Sequence, residues 1–334
     1  MSESTREVVA IGASAGGVDA LRQVAAGLPA GFPAAVLVVM HVPPGRPSAL
    51  ADILDRAGRL PAVAATSGAK LEPGVIHTAP PDRHLLTEDG TLVLTNGPTE
   101  NGHRPAINAT FRSVALTSGA RAIGVVLSGV LDDGAIGLRA IIGQGGLAVV
   151  QDPADAQHRG MPDSALAQVS TEHVLPADAI GPALDKLVRT PVAEGPYVRP
   201  PSGMRLEDRI ARQDVRLGAL SPSDAPASGF VCPDCHGSLM EVAPVEGQYR
   251  CRIGHAWTAK ALLDAQDDQF RQALWTALRS LDEKAALAAK LEQHTAGSEG
   301  SPLSKRYAET AQDCRVAADT LRRFLAAADD AEDR

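Results

Sequence analysis

Aromatic residues are scarce. Only 3% of the 334 positions are Phe, Trp or Tyr, so a core has to be assembled from Ala, Val, Leu and Ile. No apolar run approaches the roughly 18–20 residues of a membrane span, and the N-terminus lacks a signal-peptide pattern. The expectation is a cytoplasmic chain with no membrane insertion. A basic surplus is also missing: 32 Lys and Arg stand against 40 Asp and Glu, a net charge of −8, which argues against a nucleic-acid partner. Cysteines number four, three of them packed between 232 and 251, and so clustered a set suits a metal site better than a disulfide framework. What remains, 44% hydrophobic and 22% charged, is the composition of an ordinary globular chain, long enough for more than one domain.

The stretch from Val8 to Gly17 organises the first half. Four apolar residues, Val8-Val9-Ala10-Ile11, run into Gly-Ala-Ser-Ala-Gly-Gly, and Val18, Leu21, Val24 and Ala25 then follow at helical spacing. This reads as a buried strand, a tight turn and a helix, with the Ser14 hydroxyl at the apex. The helix N-terminus supplies N–H donors and positive dipole for an oxyanion or a phosphate. Two readings compete. Gly12-x-Ser14-x-Gly16 fits a nucleophile elbow, and Gly12-x-Ser14-x-x-Gly17 is a degenerate dinucleotide fingerprint. The second wants an acid about 20 residues on, to hold a ribose. The next strand, Ala34 to Met40, delivers His41 instead.

From Val8 to about Val188, strand patterns (7–11, 35–41, 75–79, 122–128, 146–151, 173–175) alternate with helical ones (17–27, 48–57, 106–118, 134–143, 161–168, 179–189). That alternation predicts an α/β, doubly wound, mostly parallel sheet. Leu85 to Leu94, with Asp89-Gly90 at its turn, predicts a hairpin added antiparallel to that sheet. The expected division is a catalytic domain over 1–189, a Pro-rich linker over 190–228 carrying one short helix from Met204, a zinc-ribbon-like module over 229–258 and a helical hairpin over 259–334.

Cys232-x2-Cys235, a spacer of 15, then Cys251-x3-His255 converge four ligands suited to tetrahedral Zn²⁺, with iron the minor alternative. A site closed by Cys3His is structural, so no cofactor is expected for catalysis; His236 is a competing ligand. Beyond it, apolar residues at 263, 270, 274, 277, 278, 281, 285, 288 and 291, and from Leu303 to Ala328, have seam-like spacing. They suit either a self-contained hairpin or a surface for a regulatory protein.

Three polar residues fall where strands should end: Ser14, His41 and Asp133. The carboxyl ends of neighbouring strands in an open α/β sheet share one crevice, where such a trio makes a nucleophile, a base and an orienting acid. Asp132-Asp133-Gly134 is equally a good helix start, with an acid as its cap.

Over about residues 6–190 the chain resembles the catalytic domain of the CheB family, the chemotaxis protein-glutamate methylesterases. The likeness rests on Ile11-Gly-Ala-Ser-Ala-Gly-Gly17, Met40-His41 with Pro43-Pro44, Pro73-Gly-Val75 with Ala79-Pro80, and His103-Arg-Pro105. It continues through Phe111-Arg-Ser-Val-Ala115, Leu127-Ser-Gly129 with Asp133-Gly-Ala135, and Gln151-Asp-Pro153 with Gly160-Met-Pro162. The resemblance implies a Ser14–His41–Asp133 triad and an oxyanion hole from the backbone N–H groups of Ala15 and Val130. It further implies a methylated chemotaxis receptor or similar protein as substrate, with glutamine deamidation as a second activity. Arg104 is the candidate substrate-binding residue, and His84 and His103 are further histidines that could touch substrate. Val130-Leu131 stands where Met-Gly is usual, and Asn108 where Asp is common. With the domain opening at residue 8, control by a receiver domain in cis is not expected. Two other readings stay open: a catalytically weak regulator or scaffold on this fold, and a nucleotide-binding Rossmann-like protein.

Overall fold

A computed structural model of the chain describes residues 5–43, 45, 47–192, 198–214, 226–243, 247–295 and 302–332. They form two compact units, Met1–Leu262 and Leu263–Arg334. The first is built on a seven-stranded sheet in the order β3-β4-β2-β1-β7-β8-β9, with every pairing parallel. Its strands are β1 (Val8–Ala13), β2 (Ala35–Met40), β3 (Ala62–Ala64), β4 (Ile76–Thr78), β7 (Ala122–Val126), β8 (Leu147–Gln151) and β9 (Val174–Leu175).

Alternate residues of each central strand feed opposite faces. Val9, Ile11, Val36 and Val38 pack with α1 (Gly17–Gly27), α2 (Leu50–Ala57) and α6 (Ala177–Arg189). Val8, Ala10, Leu37 and Val39 pack with α3 (Ile107–Ser118), α4 (Ala135–Gly143) and α5 (Gly160–Gln168). Burial on both faces is why these strands read as continuous apolar runs rather than alternating ones. The order runs outward from β1 to β3 on one side and from β7 to β9 on the other, so the chain reverses direction between β1 and β7. Open α/β sheets bind ligands at such a switch point, beyond the carboxyl ends of the strands.

Two expectations changed on folding. The hairpin, β5 (His84–Glu88) with β6 (Thr91–Thr95), forms a separate two-stranded sheet rather than extending the parallel one. Its Leu85 and Leu92 are buried beside α3, so packing rather than edge pairing holds it. The edge strand β3 went unseen in the sequence because Ala-Val-Ala, exposed at two of its three positions, carries no pattern.

The linker helix α7 is Ser202–Ala211, and residues 193–197 and 215–225 of the expected linker lie outside the described residues. α7 is tied to the first domain: Thr95 Oγ1 donates to Ala211 O at 2.6 Å, and Arg112 pairs with Glu207 at 3.0 Å. The cysteine-bearing segment folds as an antiparallel four-stranded sheet, β10 (Ala227–Val231), β11 (Ser238–Ala243), β12 (Gln248–Cys251) and β13 (Ala256–Thr258). Arg250 of β12 joins Arg112, Glu100 and Glu207 in a buried cluster of two cations and two anions. Burial alone would raise the Glu100 carboxyl, but the flanking Arg112 and Arg250 hold it below the usual range, so it stays ionised.

The second unit is helical, carried by α8 (Ala259–Thr295) and α9 (Pro302–Glu332). Its seam is Leu274, Leu278, Leu281, Ala318, Leu321 and Leu325, flanked by an Arg322–Asp282 pair at 2.7 Å. Leu263, Phe270 and Leu291 of the expected stripe are exposed, because two helices alone cover only one narrow seam of each other.

Candidate active site and a Cys3His cluster

β1 and β2 pair residue for residue up to Ala13 opposite Met40, so Ser14 and His41 are the next residues on neighbouring strands. His41 N–H donates to Ala13 O at 3.3 Å, and Ser14 N–H to Ser128 O, past the end of β7, at 2.9 Å. Gly16 turns the chain at φ +69°, and a Cβ there would meet Gln157 and the Ser128 hydroxyl at 2.7 and 2.9 Å. Gly12 leaves room for Ile107, so the N-terminus of α3 comes up against β1.

Asp133, only 2% exposed, sits at that N-terminus. Its Oδ2 accepts from Ile107 N–H and from His41 Nε2, both at 2.7 Å. Its Oδ1 accepts from Asn108 N–H and Gly134 N–H, each at 3.0 Å. Asp133 thus accepts at the N-terminus of α3 as well as from His41, whereas α4, the helix it was expected to cap, has Gly134 at its N-cap and no side-chain cap bond from that residue. Burial pushes the Asp133 carboxyl upward, but the bond from His41, the neighbouring histidines and the Ile107 N–H outweigh it and leave its pKa below the usual value. With Nε2 held by Asp133, the imidazole has Nδ1 left for a proton acceptor's work. Asn108 Oδ1 accepts from Gly134 N–H at 3.0 Å and Gly137 N–H at 2.8 Å, bracing the start of α4.

The two N–H groups that the resemblance assigns to an oxyanion hole, Ala15 and Val130, have no protein acceptor among the described residues. Between Val130 and Asp133 the chain passes through Leu131 at φ +63°, a conformation that a leucine rarely adopts. Gly129 and Ser128 anchor the other side: Gly129 N–H donates to His158 O at 3.0 Å, and Ser128 Oγ to Ala15 O at 2.9 Å.

His103 lies where sequence reasoning had only a vague role for it. Its ring stacks on His41 with centroids 3.7 Å apart and planes 17° from parallel. Burial, reinforced by His41, holds the His103 pKa down at about 4, so it is neutral at physiological pH. His84 is structural: it is buried, Nε2 donates to Pro98 O at 2.9 Å and Nδ1 accepts from Ala106 N–H at 3.2 Å. Arg104 is already engaged, through Asp82 Oδ1 at 2.6 Å and Gly97 O at 2.9 Å.

In the small sheet the ligand atoms of Cys232, Cys235, Cys251 and His255 all lie within 4.8 Å of one another, and none of these cysteines is in a disulfide. His255 Nδ1 is 3.7 Å from Cys232 Sγ and 3.5 Å from Cys251 Sγ, and Cys235 Sγ is 3.6 Å from Cys251 Sγ. A tetrahedral zinc with its usual bond lengths sets ligand–ligand edges of roughly 3.5–3.8 Å, so the donor set fits that ion. His236 is not one of the four.

A parallel doubly wound sheet with a histidine–aspartate pair beside a strand-end serine has the arrangement of an α/β hydrolytic domain. The family to which such a domain belongs is fixed by comparison. The CheB methylesterase family matches residues 9–184, and the chain belongs to that family. A protein-glutamate methylesterase/protein-glutamine glutaminase of Anaeromyxobacter dehalogenans is 45% identical over 179 residues, 53% of this chain and 52% of that protein. One from Methanosarcina mazei is 39% identical over 195 residues, 56% of this chain and 53% of that protein. The crystal structure of the Thermotoga maritima CheB methylesterase catalytic domain aligns with a TM-score of 0.53 at 33% identity, covering 55% of this chain and all of that one. The chain spans about half the length of the curated relatives it matches.

Proposed function

We propose that the chain is a protein-glutamate methylesterase acting through Ser14, His41 and Asp133. The observation that carries this is the buried His41–Asp133 bond of 2.7 Å, set one strand from the Ser14 turn. Ser14 Oγ attacks the carbonyl carbon of a glutamyl methyl ester while His41 Nδ1 takes its proton. Ala15 and Val130 N–H stabilise the oxyanion, each worth on the order of 3 kcal/mol of barrier. The C–O bond to the methoxy group then breaks, His41 returns its proton, and methanol leaves. Water, deprotonated by His41, hydrolyses the glutamyl-enzyme to a free carboxylate and regenerates Ser14. A glutamine amide follows the same path and releases ammonia, so deamidation is the second activity.

The substrate is a methylated chemotaxis receptor or a similarly methylated protein. Cys232, Cys235, Cys251 and His255 would hold a structural Zn²⁺, a reading supported by four donor atoms within 4.8 Å of one another and by three separations of 3.5–3.7 Å. The test is methanol release from a methylated receptor fragment: it is expected from the wild type and lost with Ser14→Ala. Equal release from both proteins would exclude Ser14 as nucleophile.

A further inference from the structure

β13 starts at the residue after the ligand His255, and its hydrogen bonds reach beyond the small sheet. Ala256 N–H donates to Thr99 O at 3.0 Å, and Asn101 N–H to Ala256 O at 2.8 Å. Thr258 N–H donates to Asn101 Oδ1 at 2.9 Å, and Thr258 Oγ1 to Asp132 Oδ1 at 3.0 Å. The Trp257 ring lies against Gly102, where an added Cβ would stand 3.3 Å from Cη2. Thr99 Oγ1 donates to Asp234 Oδ2, between Cys232 and Cys235, at 2.6 Å. Lys260 Nζ donates to Leu131 O at 3.3 Å and to Ser164 Oγ at 3.0 Å. The metal-binding sheet therefore grips two loops of the α/β domain at once.

Those loops are the ones the chemistry needs. Two residues after Asn101 comes His103, stacked on His41. Asp132 sits beside Asp133, and Leu131, with its left-handed backbone, separates Asp132 from the Val130 N–H. A strained turn of this kind persists only where its surroundings hold it. Here the holders include Thr258 and Lys260, three and five residues after a metal ligand.

We propose that the metal-binding sheet is a positioning part of the esterase site, with Thr258 as its positioning residue. Loaded with metal, it fixes the 99–103 loop, so that His103 keeps His41 in place. It also fixes the 130–133 turn, so that the Val130 N–H stays aimed at the oxyanion. This rests on the esterase reading above.

The test uses the full chain with Thr258→Val, which removes the bond to Asp132 together with the one accepted from Ala261 N–H, and Thr258→Ser, which keeps both. Zinc content, kcat, KM and amide exchange of residues 99–104 and 129–133 are measured on each. With zinc retained at the wild-type level, the Val variant is expected to lose about tenfold in kcat, KM staying within about twofold, because misaligned groups slow chemistry more than binding. Exchange in both loops rises, and Ser restores both readouts. Wild-type kcat in the Val variant, or a loss that Ser does not restore, overturns the proposal. If the wild type releases no methanol, the esterase reading falls; the clamp is then judged by exchange alone, and unchanged exchange in the Val variant overturns it.

Discussion

Replacing Asp133 by Asn separates this site from a triad whose acid serves only its histidine. Asp133 accepts four hydrogen bonds, two at each oxygen, and all four donors are N–H groups. An amide has one oxygen. Whichever way it is turned, its NH2 faces either the Ile107 N–H with His41 Nε2, or the N–H groups of Asn108 and Gly134. In the first orientation His41 can change tautomer and accept from the amide, leaving the Ile107 N–H without its acceptor; in the second both N–H groups lose theirs. At about 1.5–3 kcal/mol for each hydrogen bond to a charged group, a destabilisation of about 1.5–6 kcal/mol is expected at pH 7. The histidine also loses the partner that fixes its tautomer, a change that costs on the order of 10⁴ in kcat in a serine protease with a Ser-His-Asp triad. Asp133 ionises below the usual carboxylate range in the folded chain, so its stabilisation is complete above about pH 4 and is lost as the pH falls through the folded value. The stability gap between Asn variant and wild type must therefore narrow in acid. Urea unfolding from pH 3 to 7 and methanol release are the assays. A wild-type urea midpoint at pH 7, or a kcat within tenfold of wild type, would refute the reasoning.

His103 gives a second pH signature. Folded, it takes up a proton near pH 4, whereas an unperturbed histidine does so near 6.5, so it contributes at most about 3 kcal/mol above pH 6.5 and loses this as the pH falls toward 4. His103→Gln should flatten the rise of stability with pH across that window, as read from urea midpoints; an unchanged slope would show that His103 is not held neutral. For the cysteine cluster, the purified full chain should contain close to one zinc per molecule by elemental analysis, and Cys235→Ser should lower that content; a zinc-free wild type isolated without chelator would refute the assignment.

Much of the α/β unit was legible because its strands are buried on both faces, so Val8–Ile11 and Ala35–Met40 stand out as apolar runs. The strand-end positions of Ser14 and His41 could be set side by side on paper because parallel strands end on one side of a sheet. The cysteine spacing was equally direct in one respect: two short loops bring the donor atoms of Cys232, Cys235, Cys251 and His255 within 4.8 Å of one another. What stayed hidden depends on packing between segments distant in sequence. Nothing local says that His103 stacks on His41, or that Arg104 is occupied by Asp82. The same holds for Arg112, which sits in a readable helix but finds Glu100 in a loop and Glu207 on the linker helix. Asn108 shows the limit from the other side: the resemblance alone made it a departure, yet its Oδ1 accepts two N–H bonds at the start of α4.

The central claim is that Ser14 is a nucleophile served by His41. Labelling of the intact chain with a serine-directed phosphonate, read by mass spectrometry alongside methanol release from a methylated receptor fragment, tests it most directly. The account predicts one phosphonate adduct, on Ser14, in the wild type, and neither adduct nor methanol with Ser14→Ala. A wild type that takes up no phosphonate and releases no methanol, or a Ser14→Ala variant that releases as much as the wild type, would contradict it.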